Sequence, residues 1–257
     1  MPEFEPSQYL EQHIKVGDRE QGQSLIDKLS ESFGPFEYKE SGEMSVQKGP
    51  FEIKLSYDSE LNQPARSIIS DQSLPEHNRK YYSVRGYKFS RLDRDQQLDL
   101  ISLLPADYQV IVEPEHRYKS SPNLVDQGRK VILLRGDLAS PAIILSLLHE
   151  IGHARSYDNK TAEGKHRDWK HRSIVDFGVY GIGDKPGQDD YAAVLRDERD
   201  AWAFALGKIR LLLDSKEEVG RYSITKKDVR SMIHNWALQG YNKMFANELG
   251  QMDLDKK

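Results

Sequence analysis

Two histidines and a glutamate stand close together in the middle of the chain, in the stretch His149-Glu150-Ile151-Gly152-His153. On a helix, residues four apart lie on one face, so both imidazoles can point at one place. Neutral imidazole is a good zinc ligand, and Glu150 stands beside the pair without having to bind the metal. Metal-assisted hydrolysis needs two fixed ligands, an open position for water and a carboxylate to accept the water's proton. The alternative is a surface helix that carries these residues by coincidence.

The residues around this stretch predict a buried helix that follows a strand. Residues 130–135 predict the strand, Ser140 is suited to cap the helix, and Pro141 is suited to its first position. The reverse face of the helix is aliphatic at positions 143, 144, 147, 148 and 151. Small residues share the histidine face and would leave room for a metal and a substrate: Ala142, Ser146, Gly152 and Ser156. A solvent-facing helix would not need the aliphatic face, which argues against coincidence.

A second long helix, predicted over residues 189–213, offers a third ligand. Its apolar side chains recur every three or four residues and so form a stripe along one face of the helix. Glu198 fills the gap in the middle of that stripe. Asp197 and the other charged residues are predicted to lie on other faces. A carboxylate on a buried stripe is costly unless a partner compensates its charge. A zinc ion held by two histidines is one such partner, and a buried Arg or Lys is the alternative. Ala201 and Ala205 would let this helix approach the first one closely.

Other third ligands fit the sequence less well. A metzincin has a further histidine six residues after the second, where this chain has Asn159, and a glycine where it has Ser156. The chain has no cysteine, which excludes a thiolate ligand and disulfides. His166 or His171 could complete a three-histidine site, but both lie in a charged segment, so Glu198 ranks above them.

Composition limits the functional classes. A chain of 257 residues suits one large domain or one domain with an appendage. No run approaches the ~18 apolar residues of a membrane span. A net charge of -4 argues against a broad nucleic-acid-binding surface. The first residues lack an apolar signal segment, so we expect a cytoplasmic protein.

The rest of the chain predicts mixed α and β structure. Helices are predicted at residues 20–33, 94–104 and 226–248. Short strands are predicted within residues 36–57 and a further strand at 108–113. A hairpin is predicted over residues 81–92, with its turn at Arg85-Gly86. Residues 58–79 are turn-rich. Residues 114–129 form a polar loop, and the long connection 158–187 could form a lid.

The chain carries two motifs in order, His149-Glu150-x-x-His153 and then Glu198-x-x-Ala201-x-x-Phe204-Ala205. With these motifs it resembles the gluzincin-type zinc metallopeptidases and is most similar to the ImmA/IrrE-like group. The resemblance covers roughly residues 105–213. It implies an α+β, zincin-like metallopeptidase domain at residues 93–257, in which a small mixed sheet packs on the active-site helices. Residues 1–92 would be an N-terminal, β-rich α/β extension of unknown role. The chain departs from the family at Trp202, where related gluzincins often have Asp or Asn supporting a histidine ligand.

The resemblance implies that the chain is a zinc-dependent endopeptidase that acts on a protein or peptide. His149, His153 and Glu198 would hold one zinc ion, and Glu150 would be the general base. Val131–Arg135 is the candidate edge strand for binding an extended substrate. Candidates for an auxiliary oxyanion donor are Tyr180, Tyr191, His171 and His234.

Two other functions fit the sequence. The first is a non-catalytic regulatory or binding protein that keeps the zincin fold and a zinc site, although a purely structural site has no need of the base Glu150. The second is a protease tethered to DNA through residues 160–172, which carry a small excess of basic side chains.

Overall fold

The protein has an α+β fold with one mixed sheet and two α-helices in the part that the computed structural model describes. The described residues are 33–34, 36, 42–58, 67–70, 81–113, 124–126, 129–136, 138–157, 183–184 and 186–209. Several predictions fall outside these residues: the helix at 20–33 except for its last residue, the helix at 226–248, and almost all of the 158–187 connection. The DNA-tether segment and His166, His171, Tyr180 and His234 also lie outside them. Neither of the two helices has the length and apolar character needed to cross a membrane.

The sheet has eight strands among these residues. In chain order they are β1 (Gly42–Lys48), β2 (Phe51–Asp58), β3 (Ser67–Ser70), β4 (Tyr81–Arg91), β5 (Gln96–Asp99), β6 (Gln109–Glu113), β7 (Leu124–Asp126) and β8 (Val131–Arg135). Their spatial order is β1-β2-β4-β3-β6-β8-β7, and β5 pairs with β4. β6 runs parallel to β3 and to β8, and the other pairs are antiparallel.

Three of the predicted strand regions are confirmed. In β2 the alternation of apolar and polar residues matches the burial of Phe51, Ile53, Leu55 and Tyr57 on one face. The predicted strands at 108–113 and 130–135 correspond to β6 and β8. In β8, Ile132 and Leu134 are fully buried, so the strand before the histidine motif belongs to the core.

The hairpin predicted over residues 81–92 is wrong. β4 is one strand of 11 residues that runs through Arg85 and Gly86. Ser56 pairs with Gly86 while Tyr57 pairs with Val84, so Arg85 is the extra residue of a β-bulge. The bulge accommodates the residues that suggested a turn, and pairing with β2 continues on both sides of it.

The helix predicted over residues 94–104 is also wrong. This segment contains β5 between two 3-10 turns, Leu92–Arg94 and Ile101–Leu103. The side chain of Asp99 accepts hydrogen bonds from the backbone N–H groups of Ile101 (3.1 Å) and Ser102 (3.3 Å). Such local bonds compete with helical ones, and β5 gains its backbone partners from β4 instead.

The sheet also corrects the predicted substrate strand. β8 pairs with β6 on one side and with β7 on the other, so Val131–Arg135 is not an edge strand. β7, which lies in the segment predicted to be a polar loop, ends the described sheet on that side. β3 likewise lies in the segment predicted to be turn-rich.

By its internal contacts the chain divides into two compact units. One comprises residues 28–156 and 201–223, and its described part holds the sheet, helix α1 (Pro141–Ser156) and the end of helix α2 (Gln188–Ile209). The other comprises residues 1–27, 157–200 and 224–257, and its described part is mainly the first part of α2. Strands from both sides of the boundary predicted at residue 92 pair in the same sheet.

Candidate metal centre

Helix α1 carries the histidine motif and begins as its sequence predicts. Pro141 is its first residue, and the carbonyl of Ser140 accepts hydrogen bonds from the N–H groups of Ile143 (3.1 Å) and Ile144 (3.3 Å). Four of the five predicted aliphatic positions are fully buried, namely Ile144, Leu147, Leu148 and Ile151, and Ile143 is partly exposed. The motif therefore lies on a buried helix, and the surface-helix alternative is wrong.

His149 and His153 approach each other at the atoms that would bind a metal. Their Nε2 atoms are 3.1 Å apart, and their rings are nearly perpendicular, at 83°. Two Nε2 ligands of one tetrahedral zinc ion lie about 3.3 Å apart, given Zn–N bonds of about 2.0–2.1 Å. The side-chain positions of this pair thus match the separation that a shared ion would require.

Glu150 is also buried, with 7% of its surface exposed. It follows His149 directly, so the helix turns its side chain by about 100° from that of His149. Its carboxylate is not among the donor atoms that cluster with the histidines. Glu150 is therefore not one of the grouped donors, and its role as the base stays a prediction.

Helix α2 confirms the predicted apolar stripe. Its buried side chains are those of Tyr191, Val194, Ala201, Trp202, Ala205 and Ile209, and Glu198 lies among them at 3% exposure. Asp197 is equally buried, which contradicts the prediction that it falls on another face.

Arg199 and Tyr191 also lie on α2. Burial lowers the pKa of the Arg199 guanidinium, which neighbours Glu198 in the sequence. Tyr191, a candidate oxyanion donor, lies two helical turns before Glu198, about 10 Å along the axis.

Glu198 joins the two histidines in one group of potential ligands. One nitrogen of each histidine and one carboxylate oxygen of Glu198 all lie within 4.8 Å of one another. Donors bound to one zinc ion lie about 3.3 Å apart. Two imidazoles and a carboxylate, all buried, are a donor set that suits zinc.

The helices that carry these ligands touch at Gly152 and Ala201. A Cβ atom added to Gly152 would lie 2.8 Å from both the Cα and the carbonyl oxygen of Ala201. Ala201 is fully buried. Gly152 was predicted to leave room for a metal and a substrate; instead, it makes room for the backbone of α2.

Replacing Gly152 with alanine is therefore expected to destabilise the protein. The new methyl group would meet backbone that cannot rotate away, and we expect a loss of about 1–3 kcal/mol in the free energy of unfolding, measured by chemical denaturation. Gly207→Ala is the matched control, because a Cβ atom there has nothing within 4 Å. Because alanine stabilises a helix more than glycine does, Gly207→Ala should not lower the free energy of unfolding. Equal stability of the two variants would show that the Gly152 contact is unimportant.

One residue near the ligands was not predicted to contact them. The indole of Trp202 stacks on the imidazole of His149, with ring centroids 4.2 Å apart and planes inclined by 28°. The sequence singled out Trp202 only as a departure from the gluzincin pattern, and its proximity to His149 depends on how α2 crosses α1.

Comparison of the chain with protein-family models, with curated proteins and with solved structures gave no match in any of the three.

Proposed function

We propose that this protein is a zinc-dependent endopeptidase of the gluzincin type, similar to the ImmA/IrrE-like group. His149, His153 and Glu198 would hold one zinc ion, and Glu150 would be the general base. The observation that carries the proposal is the group of three buried donors, within 4.8 Å of one another on two helices. Glu150 is buried and directly follows the first histidine in the motif. A purely structural metal site has no need of such a carboxylate, so its presence supports a catalytic site. A cytoplasmic setting is part of the proposal.

The chemistry divides between the ion and the protein. Bound zinc would polarise the scissile carbonyl and lower the pKa of a coordinated water to around 7. Glu150 would accept a proton from the attacking water and pass it to the leaving amine. Because Glu150 shares helix α1 with both histidines, its backbone position relative to them is fixed by the helix.

An extended substrate would add a strand to the sheet. β8 has neighbours on both sides, so among the described strands the outer side of β7 is the position near helix α1 where backbone pairing could occur. Such pairing recognises the backbone of a peptide and leaves side-chain preference to the surrounding surface. A protein or peptide in an extended conformation is therefore the proposed substrate class.

The proposal is tested by incubating the purified protein with a mixture of peptides from a digested proteome and identifying new termini by mass spectrometry. We expect cleavage that stops when the metal is removed with a chelator and returns when zinc is added back. Full zinc occupancy with no cleavage of peptides or of intact proteins would instead support the non-catalytic, regulatory alternative. Cleavage that persists without any metal would contradict the mechanism.

A further inference from the structure

Trp202 stacks on the first of the two histidines. Its indole covers one face of His149, and both side chains are almost completely buried, with 6% and 8% of their surfaces exposed. Both residues belong to the same compact unit. We propose that Trp202 is a positioning residue that holds the His149 imidazole in the orientation required for metal binding. This inference rests on the proposed function.

The stack restricts the motion that matters for ligation. The imidazole can rotate about its Cβ–Cγ bond, and only part of that rotation points Nε2 toward His153. An indole 4.2 Å from the ring centre blocks the orientations in which the imidazole would stand on edge against it. With the plane of His149 fixed, the ring has two orientations related by a half-turn, and one of them is the observed orientation, in which its Nε2 atom lies 3.1 Å from that of His153.

The contact also depends on how the two helices meet. Gly152 lets the backbone of Ala201 lie against α1, and Trp202 is the next residue on α2. Trp202 is also four residues after Glu198, so the third donor and the stacking ring project from one side of the same helix, one turn apart.

A stacked aromatic ring is a further means of orienting a histidine ligand. Metal-binding histidines are generally held by a hydrogen bond from the second ring nitrogen to a carboxylate, a carbonyl or water. The related gluzincins often have Asp or Asn at the position of Trp202. Here the residue at that position contributes a flat aromatic surface, which fixes the plane of the ring rather than one of its atoms.

The test compares Trp202→Phe with Trp202→Leu in metal-free protein. Phenylalanine keeps a flat ring that can stack, whereas leucine keeps apolar volume without one. We expect the Kd for zinc, measured by competition with a chromogenic chelator, to rise about 10–100-fold in Trp202→Leu and less than about threefold in Trp202→Phe. The visible absorption of bound Co²⁺ should match the wild type in Trp202→Phe and change in Trp202→Leu. Trp202→Met replaces the leucine variant if that variant does not fold.

Phe204→Leu is the matched control. Phe204 lies on the same helix, but its ring contacts the cationic groups of Arg155 and Lys208, 5.4 and 5.6 Å from the ring centre. This variant should bind zinc as the wild type does. Unfolding of the metal-free proteins, measured in parallel, separates a loss of metal affinity from a loss of stability.

The outcomes distinguish this inference from the function on which it rests. Wild-type zinc affinity in Trp202→Leu, or equal weakening in the leucine and phenylalanine variants, would overturn the positioning role and leave the zinc site intact. A wild-type protein that binds no zinc would overturn both. Weakening in Trp202→Leu with rescue by phenylalanine supports the inference.

Discussion

Replacing Glu150 with glutamine is expected to lower kcat/KM for peptide cleavage by about 10²–10⁴-fold, the usual contribution of a positioned general base. Glutamine has nearly the same size and can fill the same buried position, but it cannot accept the proton of the attacking water. Because Glu150 is not among the clustered donors, the zinc content of Glu150→Gln should equal that of the wild type. The measurements are the rate of cleavage of one identified peptide and the metal content of the same preparation.

Glu43→Gln is a suitable control for this experiment. Glu43 is an exposed residue of β1 that forms an ion pair with Lys54 across to β2, and this pairing lowers the pKa of its carboxyl group. The same chemical change should leave kcat/KM unaltered there, since exposed ion pairs contribute little to stability. Unchanged cleavage by Glu150→Gln would rule out Glu150 as the base. Loss of both zinc and cleavage would assign it a structural role instead.

Replacing Glu198 with glutamine is expected to weaken zinc binding by more than about 100-fold, a larger loss than outer residues around metal sites typically cause. The substitution removes the only anionic donor of the group and preserves its shape. Chelator competition measures the affinity for zinc, and denaturant unfolding of the metal-free proteins shows whether the substitution also changes stability.

Asp197 provides the matched control for Glu198. It is the preceding residue of α2 and is equally buried, at 3% exposure, but it is not one of the clustered donors. Asp197→Asn should therefore retain the zinc affinity of the wild type. If Glu198 instead pairs with a buried Arg or Lys, Glu198→Gln would destabilise the metal-free protein and leave zinc binding unchanged. That result would move the third ligand elsewhere.

Much of the site could be predicted because local sequence determines it. The aliphatic face and the Ser140-Pro141 start define α1, and residues four apart on any helix share a face. The position of Glu198 within an apolar stripe likewise predicts its burial. These inferences need only the periodicity of one helix, and the described helices follow that periodicity.

The errors fall where structure depends on distant parts of the chain. β5 depends on its pairing with β4, and no pattern within residues 94–104 reveals that partner. The prediction that β8 is an edge strand is wrong because β7, a strand of only 3 residues, carries too short a pattern to detect. The roles of Gly152 and Trp202 depend on the crossing of α1 and α2, which sequence periodicity does not specify.

The proposed zinc site is tested most directly by its stoichiometry. Metal-free protein would be equilibrated with zinc, passed through a desalting column and analysed for metal and protein content. The wild type is expected to retain about one zinc ion per chain, and the His149→Ala/His153→Ala variant close to none. A wild-type protein without zinc, or equal zinc in both proteins, would contradict the assignment of these two histidines as metal ligands.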